Sequence, residues 1–231
     1  VRRGNVIVPA FALGRTQEIV YRLNEMWEKG ELPPIDVFVD SPLAINLTEV
    51  YRIHPECYDA EMQNTVRTDR DHDPFGWSRL HYLRTVEGSK MLNTLATPGV
   101  IISASGMCEG GRILHHLANH IGDPRTTLLF VGFQAQDTLG RRIIEGARTI
   151  KVFGDGHRVR ATIKRVEGYS AHADRDELLG WASAVRDRGR LQRVFLVHGE
   201  QPALAALTQG LREQVGIPNV QVPARGETVV V

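Results

Sequence analysis

The chain has little of what would place it outside the cell or in a membrane. Only two of its 231 residues are cysteine, Cys57 and Cys108, too few for a disulfide framework or a cysteine-rich zinc ribbon. The longest apolar-looking run, Val6 to Leu13, is too short to span a bilayer and contains Pro9. No secretory signal is visible. A reduced, cytoplasmic compartment with no membrane partner is therefore expected. An excess of one charge is missing too. Lys and Arg total 28 against 27 Asp and Glu, a net charge of +1, so bulk charge demands no nucleic-acid partner. There is no Gly-Lys-Ser/Thr phosphate loop and no Gly-x-Gly-x-x-Gly dinucleotide fingerprint. The first residue is Val1, and by Val6 the chain already reads as a buried strand, so a piece of a longer protein is expected.

What is present is an alternation of short apolar strands and amphipathic helices, the pattern of an α/β fold with a mostly parallel sheet flanked by helices. Val6 to Pro9, Val37 to Val39, Val100 to Ser103 and Leu128 to Val131 read as strands. Thr16 to Glu28, a segment opening at Pro42, Gly111 to His120 and Thr138 to Glu145 read as helices. Asn64 to Ser78, polar and rich in Asp and Arg, reads as a surface loop. The texture changes near Gly146. Thr149 to Phe153 and Val159 to Val166 read as antiparallel strands joined through Gly154-Asp155-Gly156. Arg175 to Arg186, Val194 to Val197 and Ala203 to Val215 then read as helix, strand and helix. The expected boundary gives two parts, 1–142 and 143–231.

Three strand–helix junctions carry small or basic residues: Phe11 to Arg15, Asp40-Ser41-Pro42, and Ser103 to Met107. Free N–H groups at a helix start, with glycine allowing close approach, suit a phosphate. The same residues also suit ordinary capping. His116 and His120 share a helix face, but Leu117 stands where a metalloprotease helix needs Glu, so packing or surface roles are expected for them. From Arg141 to Arg165 there are eight Lys or Arg and two acids. Arg158, Arg160, Thr162 and Lys164 alternate with Val159, Ala161 and Ile163, which gives one basic and one apolar face. That face is either simply solvated or tracks an RNA backbone.

The most informative residues lie near the end, in Gly168-Tyr169-Ser170-Ala171-His172-Ala173-Asp174 and Val197-His198-Gly199-Glu200. His172 precedes an expected helix and His198 follows an expected strand, where catalytic groups of α/β sheets gather. Asp174 and Glu177 make a capping box, which explains Asp174 but not His172. If the histidines share a site, their side chains should stand on the order of 5–8 Å apart.

Taken with Pro9-Ala10-Phe11-Ala12, Gly14-Arg15, Gln17-Glu18, Asp40-Ser41-Pro42-Leu43-Ala44, Ser105-Gly106-Met107, Gly110-Gly111-Arg112 and Gly140-Arg141, these motifs resemble the β-CASP branch of the metallo-β-lactamase-fold nucleases. That group includes the mRNA 3′-end processing endonuclease and bacterial and archaeal RNases. The resemblance implies a β-CASP domain lacking its start over 1–142. It implies the carboxyl-terminal part of a metallo-β-lactamase αββα sandwich, used for RNA specificity, over 143–231. It implies hydrolysis of RNA, endonucleolytic or from the 5′ end, by a zinc enzyme with two ions. His172 would act on the scissile phosphate and its leaving group, and His198 would be a zinc ligand. Branches acting on DNA tend to carry Val at that position, so His198 points to RNA. Arg15, Ser41, Ser105 and Gly106 would grip phosphates. RNA is the expected partner, with a second copy in a homodimer as a candidate assembly. The family's His-x-His-x-Asp-His zinc motif does not occur in this sequence, so residues 1–231 alone are expected to bind zinc poorly and to be inactive. The rival readings are an inactive RNA-binding or scaffold paralogue of the same fold and an unrelated enzyme acting on small phosphate compounds.

Overall fold

A computed structural model describes residues 4–68, 72–95, 97–166, 168–169, 172–189 and 191–229. Two compact units divide the chain, Val1–Tyr169 and Ser170–Val231.

In the first unit the order is β1 (Val6–Pro9), α1 (Arg15–Glu28), β2 (Val37–Val39), α2 (Pro42–Ile53), α3 (Ala60–Thr68), β3 (Leu80–Tyr82), α4 (Val86–Met91), β4 (Val100–Ser103), α5 (Ile113–His120), β5 (Thr127–Phe130), α6 (Leu139–Ile144), β6 (Thr149–Val152), β7 (Asp155–Arg158) and β8 (Thr162–Arg165). Six strands form one sheet in the order β3-β2-β4-β1-β5-β8, and every neighbouring pair is parallel. A parallel sheet needs cover on both faces, so its strands read as unbroken apolar runs. Val8 and Ile102 join a core with Val20 and Ile45 of α1 and α2. Ile7, Leu128 and Phe130 join a second core with Ile113, Leu117 and Ile143 of α5 and α6. The expected mostly parallel sheet flanked by helices is the observed one.

Two segments differ from the expectation. The antiparallel pair is β6 with β7, in the register Thr149↔Arg158 to Val152↔Asp155. The turn is Phe153-Gly154, with φ of 53° and 92°, and a two-residue hairpin turn with both φ positive matches the twist of its strands. Beyond it, Val159, Ala161 and Ile163 keep packing into the second core. The chain thereby returns to the main sheet as β8, parallel to β5 from Thr127↔Thr162 to Phe130↔Arg165. So the sequence texture changes near Gly146, while the compact units divide between Tyr169 and Ser170.

The second difference is in 64–78. Residues 64–68 end α3, and Phe75 and Trp77 are buried. Arg52 holds this stretch through Asp73 and the Phe75 carbonyl, at 2.7 and 2.9 Å. Two aromatic anchors outweigh the polar composition around them.

The second unit holds α7 (Arg175–Arg188), β9 (Val194–Phe195), α8 (Gln201–Glu213) and β10 (Val220–Gln221). β9 and β10 pair in parallel. Leu179 and Ala182 of α7 pack with Leu211, Val215, Ile217 and Val220. Asp174 caps α7 by accepting from the Asp176 and Glu177 amides at 2.9 Å each, and Glu177 accepts from the Asp174 amide in return. The expected capping box is therefore formed. Ser170 and Ala171 of the histidine motif lie outside the described residues.

Candidate functional site

The topology itself selects a place in the first unit. β1 and β4 are neighbours. The connection after β1 runs through α1 to β2, and the one after β4 runs through α5 to β5. These connections leave on opposite sides, and the carboxyl ends of two such neighbouring strands are where open α/β sheets bind ligands. The loops there are 10–14 and 104–112.

They are fitted tightly. A Cβ on Gly106 would lie 3.0 Å from the Phe11 amide nitrogen and 2.9 Å from its ring, so only glycine allows the two loops this approach. Gln134 is buried and donates from Nε2 to the Gly106 carbonyl at 2.9 Å. Gly140 donates its amide to the Met107 carbonyl at 3.1 Å. The Ser105 hydroxyl oxygen accepts from the Glu109 and Gly110 amides at 3.0 and 3.3 Å. Its own proton stays available to a ligand oxygen, polarised by those two donors.

Arg15 opens α1. Its guanidinium pairs with Glu18 and stands 5.7 Å over the Tyr169 ring, while among the described residues its buried Nε meets no acceptor. Ser41 is 6% exposed and caps α2, its hydroxyl accepting from the Ala44 amide at 3.3 Å, with Pro42 in the first turn. Buried this way, its side chain does capping work.

Behind these loops lies a polar cluster that pattern reading missed. Asp40 follows β2 and is fully buried. Its carboxylate meets Arg112 Nη1 at 2.6 Å, His116 Nε2 at 2.7 Å and Ser89 Oγ at 2.6 Å. The Ser103 hydroxyl donates to the Asp40 carbonyl at 2.9 Å. Arg112 also donates to the Leu83 and Arg84 carbonyls at 3.0 and 2.8 Å. Burial alone would push the Asp40 carboxyl up. The bonds from His116, Ser89 and Arg112 outweigh burial and hold it below its ordinary value. His120 stacks 6.4 Å from His116, and burial, then His116, pushes its pKa down. These histidines pack the interior, as the missing Glu at 117 implied. A signal for Asp40 was available: an acid placed straight after an apolar strand that is buried on both sides.

In the second unit, His172 precedes α7 and His198 lies between β9 and α8. Both are exposed. Their rings stand 6.4 Å apart at 37°, inside the expected spacing. Neither rests in an aliphatic core. Two imidazoles supply at most two donors, while catalytic zinc takes about three protein ligands plus water. Among the described residues no group of three His, Cys, Asp or Glu could hold a metal ion. The described residues do not by themselves compose a zinc site.

A cavity of about 680 Å³ opens between α1, α2 and α3, walled by Tyr21, Tyr51, Tyr58, Met62 and Phe75. None of the expected site residues lines it. Cys57 lies at this cavity, whereas Cys108 is buried, which pushes its thiol up to about 12.

Comparison with known proteins gives two domain matches along the chain. Residues 16–143 match the Beta-Casp domain. Residues 156–223 match the Zn-dependent metallo-hydrolase RNA specificity domain. The chain is 37% identical to "Ribonuclease TTHA0252" of Thermus thermophilus over 88% of its own length and 45% of the relative's. It is 30% identical to the "Transcription termination factor FttA" of Methanosarcina mazei, over 94% of this chain and 34% of that protein. It is also 30% identical to an "RNase J-like protein" of Methanocaldococcus jannaschii, over 96% of this chain and 49% of that one. The chain thus spans a third to a half of the length of these relatives.

Proposed function

The chain belongs to the β-CASP family of RNA-processing nucleases, and we propose that it forms part of a longer zinc-dependent ribonuclease with two metal ions. That enzyme hydrolyses RNA phosphodiester bonds, internally or from the 5′ end. One observation carries the reading: two exposed histidines at a strand end and a helix start, with rings 6.4 Å apart, in a chain whose relatives include ribonucleases.

His198 contributes one zinc ligand, and the remaining donors come from parts of the longer protein. His172 holds the scissile phosphate or, as the imidazolium, gives its proton to the leaving oxygen. Ser105 donates its hydroxyl proton to a phosphate oxygen, and Arg15 adds positive charge at the start of α1. Ser41 and Gly106, both buried, act through the backbone they shape: Ser41 through the amide end of α2, Gly106 through the closeness of its loop to Phe11.

Metal analysis and single-turnover cleavage of a labelled RNA by the longer protein test this. His198→Ala lowers zinc content. His172→Ala keeps zinc but slows cleavage by roughly 10²–10⁴, with RNA affinity little changed because phosphate contacts elsewhere supply most of it. Wild-type cleavage by His172→Ala would remove that residue's role. A wild-type enzyme that binds RNA and cuts nothing would favour the inactive scaffold instead.

A further inference from the structure

Charge is unevenly placed in this nearly neutral chain. Arg141 to Arg165 carries eight cations and two acids, while the rest carries five more acids than bases. Of the two acids, Glu145 is paired with Arg141 at 2.6 Å.

The strand register sorts the rest. Opposed residues of an antiparallel pair share a face, so Thr149, Lys151, Gly156 and Arg158 lie on one side of the β6–β7 hairpin. Ile150 and Val152 lie on the other and are buried in the core with Ile113, Leu117 and Ile121. Asp155 belongs to that second set by register, and Gly156, opposite Lys151, has no side chain to crowd it. The alternation then continues. Val159, Ala161 and Ile163 pack into the same core, and Arg158, Arg160 and Lys164 are exposed. Among the described residues Lys151, Arg158, Arg160 and Lys164 form no ion pair.

A second observation stands apart from charge. The hairpin tip is Phe153, at φ 53° and 60% exposed. A turn with both φ positive prefers Asn, Asp or Gly at that position, and a bulky side chain there is an outlier. The fold therefore keeps an exposed aromatic ring where cheaper residues exist. The ring lies 4.6 Å from His115, which fixes its orientation while leaving most of its surface open.

Exposed cations on one face of a hairpin and on the segment and strand that follow it, beside an open aromatic ring, form the combination that binds single-stranded nucleic acid: charge for the backbone, a ring for a base. We propose that the outer face of β6–β7, continued by Arg160 and Lys164, is an accessory RNA track. Phosphates lie along Lys151, Arg158, Arg160 and Lys164, and a base stacks on Phe153. The choice of RNA over other polyanions rests on the ribonuclease reading above.

Fluorescence anisotropy of a labelled 20-nucleotide oligouridylate against residues 1–231 tests it. The wild-type chain binds at low salt, with affinity falling linearly in log salt. The double variant Lys151→Glu/Arg158→Glu binds about tenfold or more weakly, with a salt slope flatter by about 1.4, since each phosphate neutralised on a single strand contributes about 0.7. Phe153→Asn suits the turn better and keeps the fold, yet binds about 5- to 100-fold more weakly through lost stacking, with thermal melting not lowered. Wild-type affinity in both variants, or no binding by the wild-type chain, would overturn the track. Cleavage by the longer enzyme reads the ribonuclease proposal separately. Cleavage with an unaffected hairpin sinks only the track, and absent cleavage with weakened hairpin variants sinks only the ribonuclease.

Discussion

In the first unit Asp40 and His116 behind the loop ends are buried and bonded to each other, with Arg112 closing the cluster from a half-buried position, while in the second the two histidines stand exposed beside a small core. Asp40 has four polar neighbours and no exposure. His172 and His198 are exposed, on a core of a few aliphatic residues. A buried polar cluster fixes geometry, because any member left alone costs the full desolvation of its partners. An exposed imidazole buries no polar group and fixes little around it. The contrast sets a bonded, buried cluster in the first unit against two open imidazoles in the second, to which the proposed function gives proton and metal chemistry, and it can be broken by substitution.

The largest effect should come from Asp40→Ala. It strands Arg112 and His116 and should destabilise the first unit by about 3–5 kcal/mol, as breaking buried pairs does, read by urea unfolding. The same cluster sets a pH dependence. The Asp40 carboxyl is held below its ordinary value, so its contribution is complete above the unfolded carboxylate pKa of about 4. It is lost as pH falls through the lower folded value. Asp40→Asn should flatten that acid limb. A variant as stable as wild type with an unchanged limb would show that the cluster does not hold the unit together.

A smaller effect is expected from Gly106→Ala. Its methyl must displace Phe11, from 3.0 Å at the amide nitrogen, at about 1–3 kcal/mol. RNA binding by the proposed ribonuclease should weaken with it. Unchanged stability would mean that Gly106 and Phe11 are not packed this closely.

The smallest effects set two neighbours in the second unit against each other. Asp174→Ala removes the α7 cap and should cost about 1 kcal/mol. His172→Ala, two residues earlier, should alter stability by less than about 0.5 kcal/mol, although the proposed function has it slowing cleavage by roughly 10²–10⁴. Melting curves of the two separate an acid that caps a helix from a histidine whose removal leaves the fold intact.

Much of this was legible in the sequence because the periods are strong. The strands ending at Pro9, Val39 and Ser103 are short apolar runs bounded by turn residues, and parallel burial makes such runs inevitable. The capping box at Asp174 follows from its spacing to Glu177 alone. Less legible were features set by distant partners. Ser89 reaches Asp40 across 49 positions, and no local pattern marks it. Phe75 and Trp77 sit in a polar stretch, so composition hid two core residues. Gly154-Asp155-Gly156 is a natural turn signal, whereas the fold turns one residue earlier, on Phe153-Gly154.

The strand that carries Lys164 is also the margin of the six-stranded sheet, since β8 ends the order. An open margin presents unpaired backbone groups on which another chain can add a strand, and lysine is a common way to discourage this. The charge proposed to meet RNA is thus also of the kind that discourages strand addition. Neutral replacements along β8 would be expected to clump before they unfold, and polyanion bound over that margin would shield it in place of the lost repulsion.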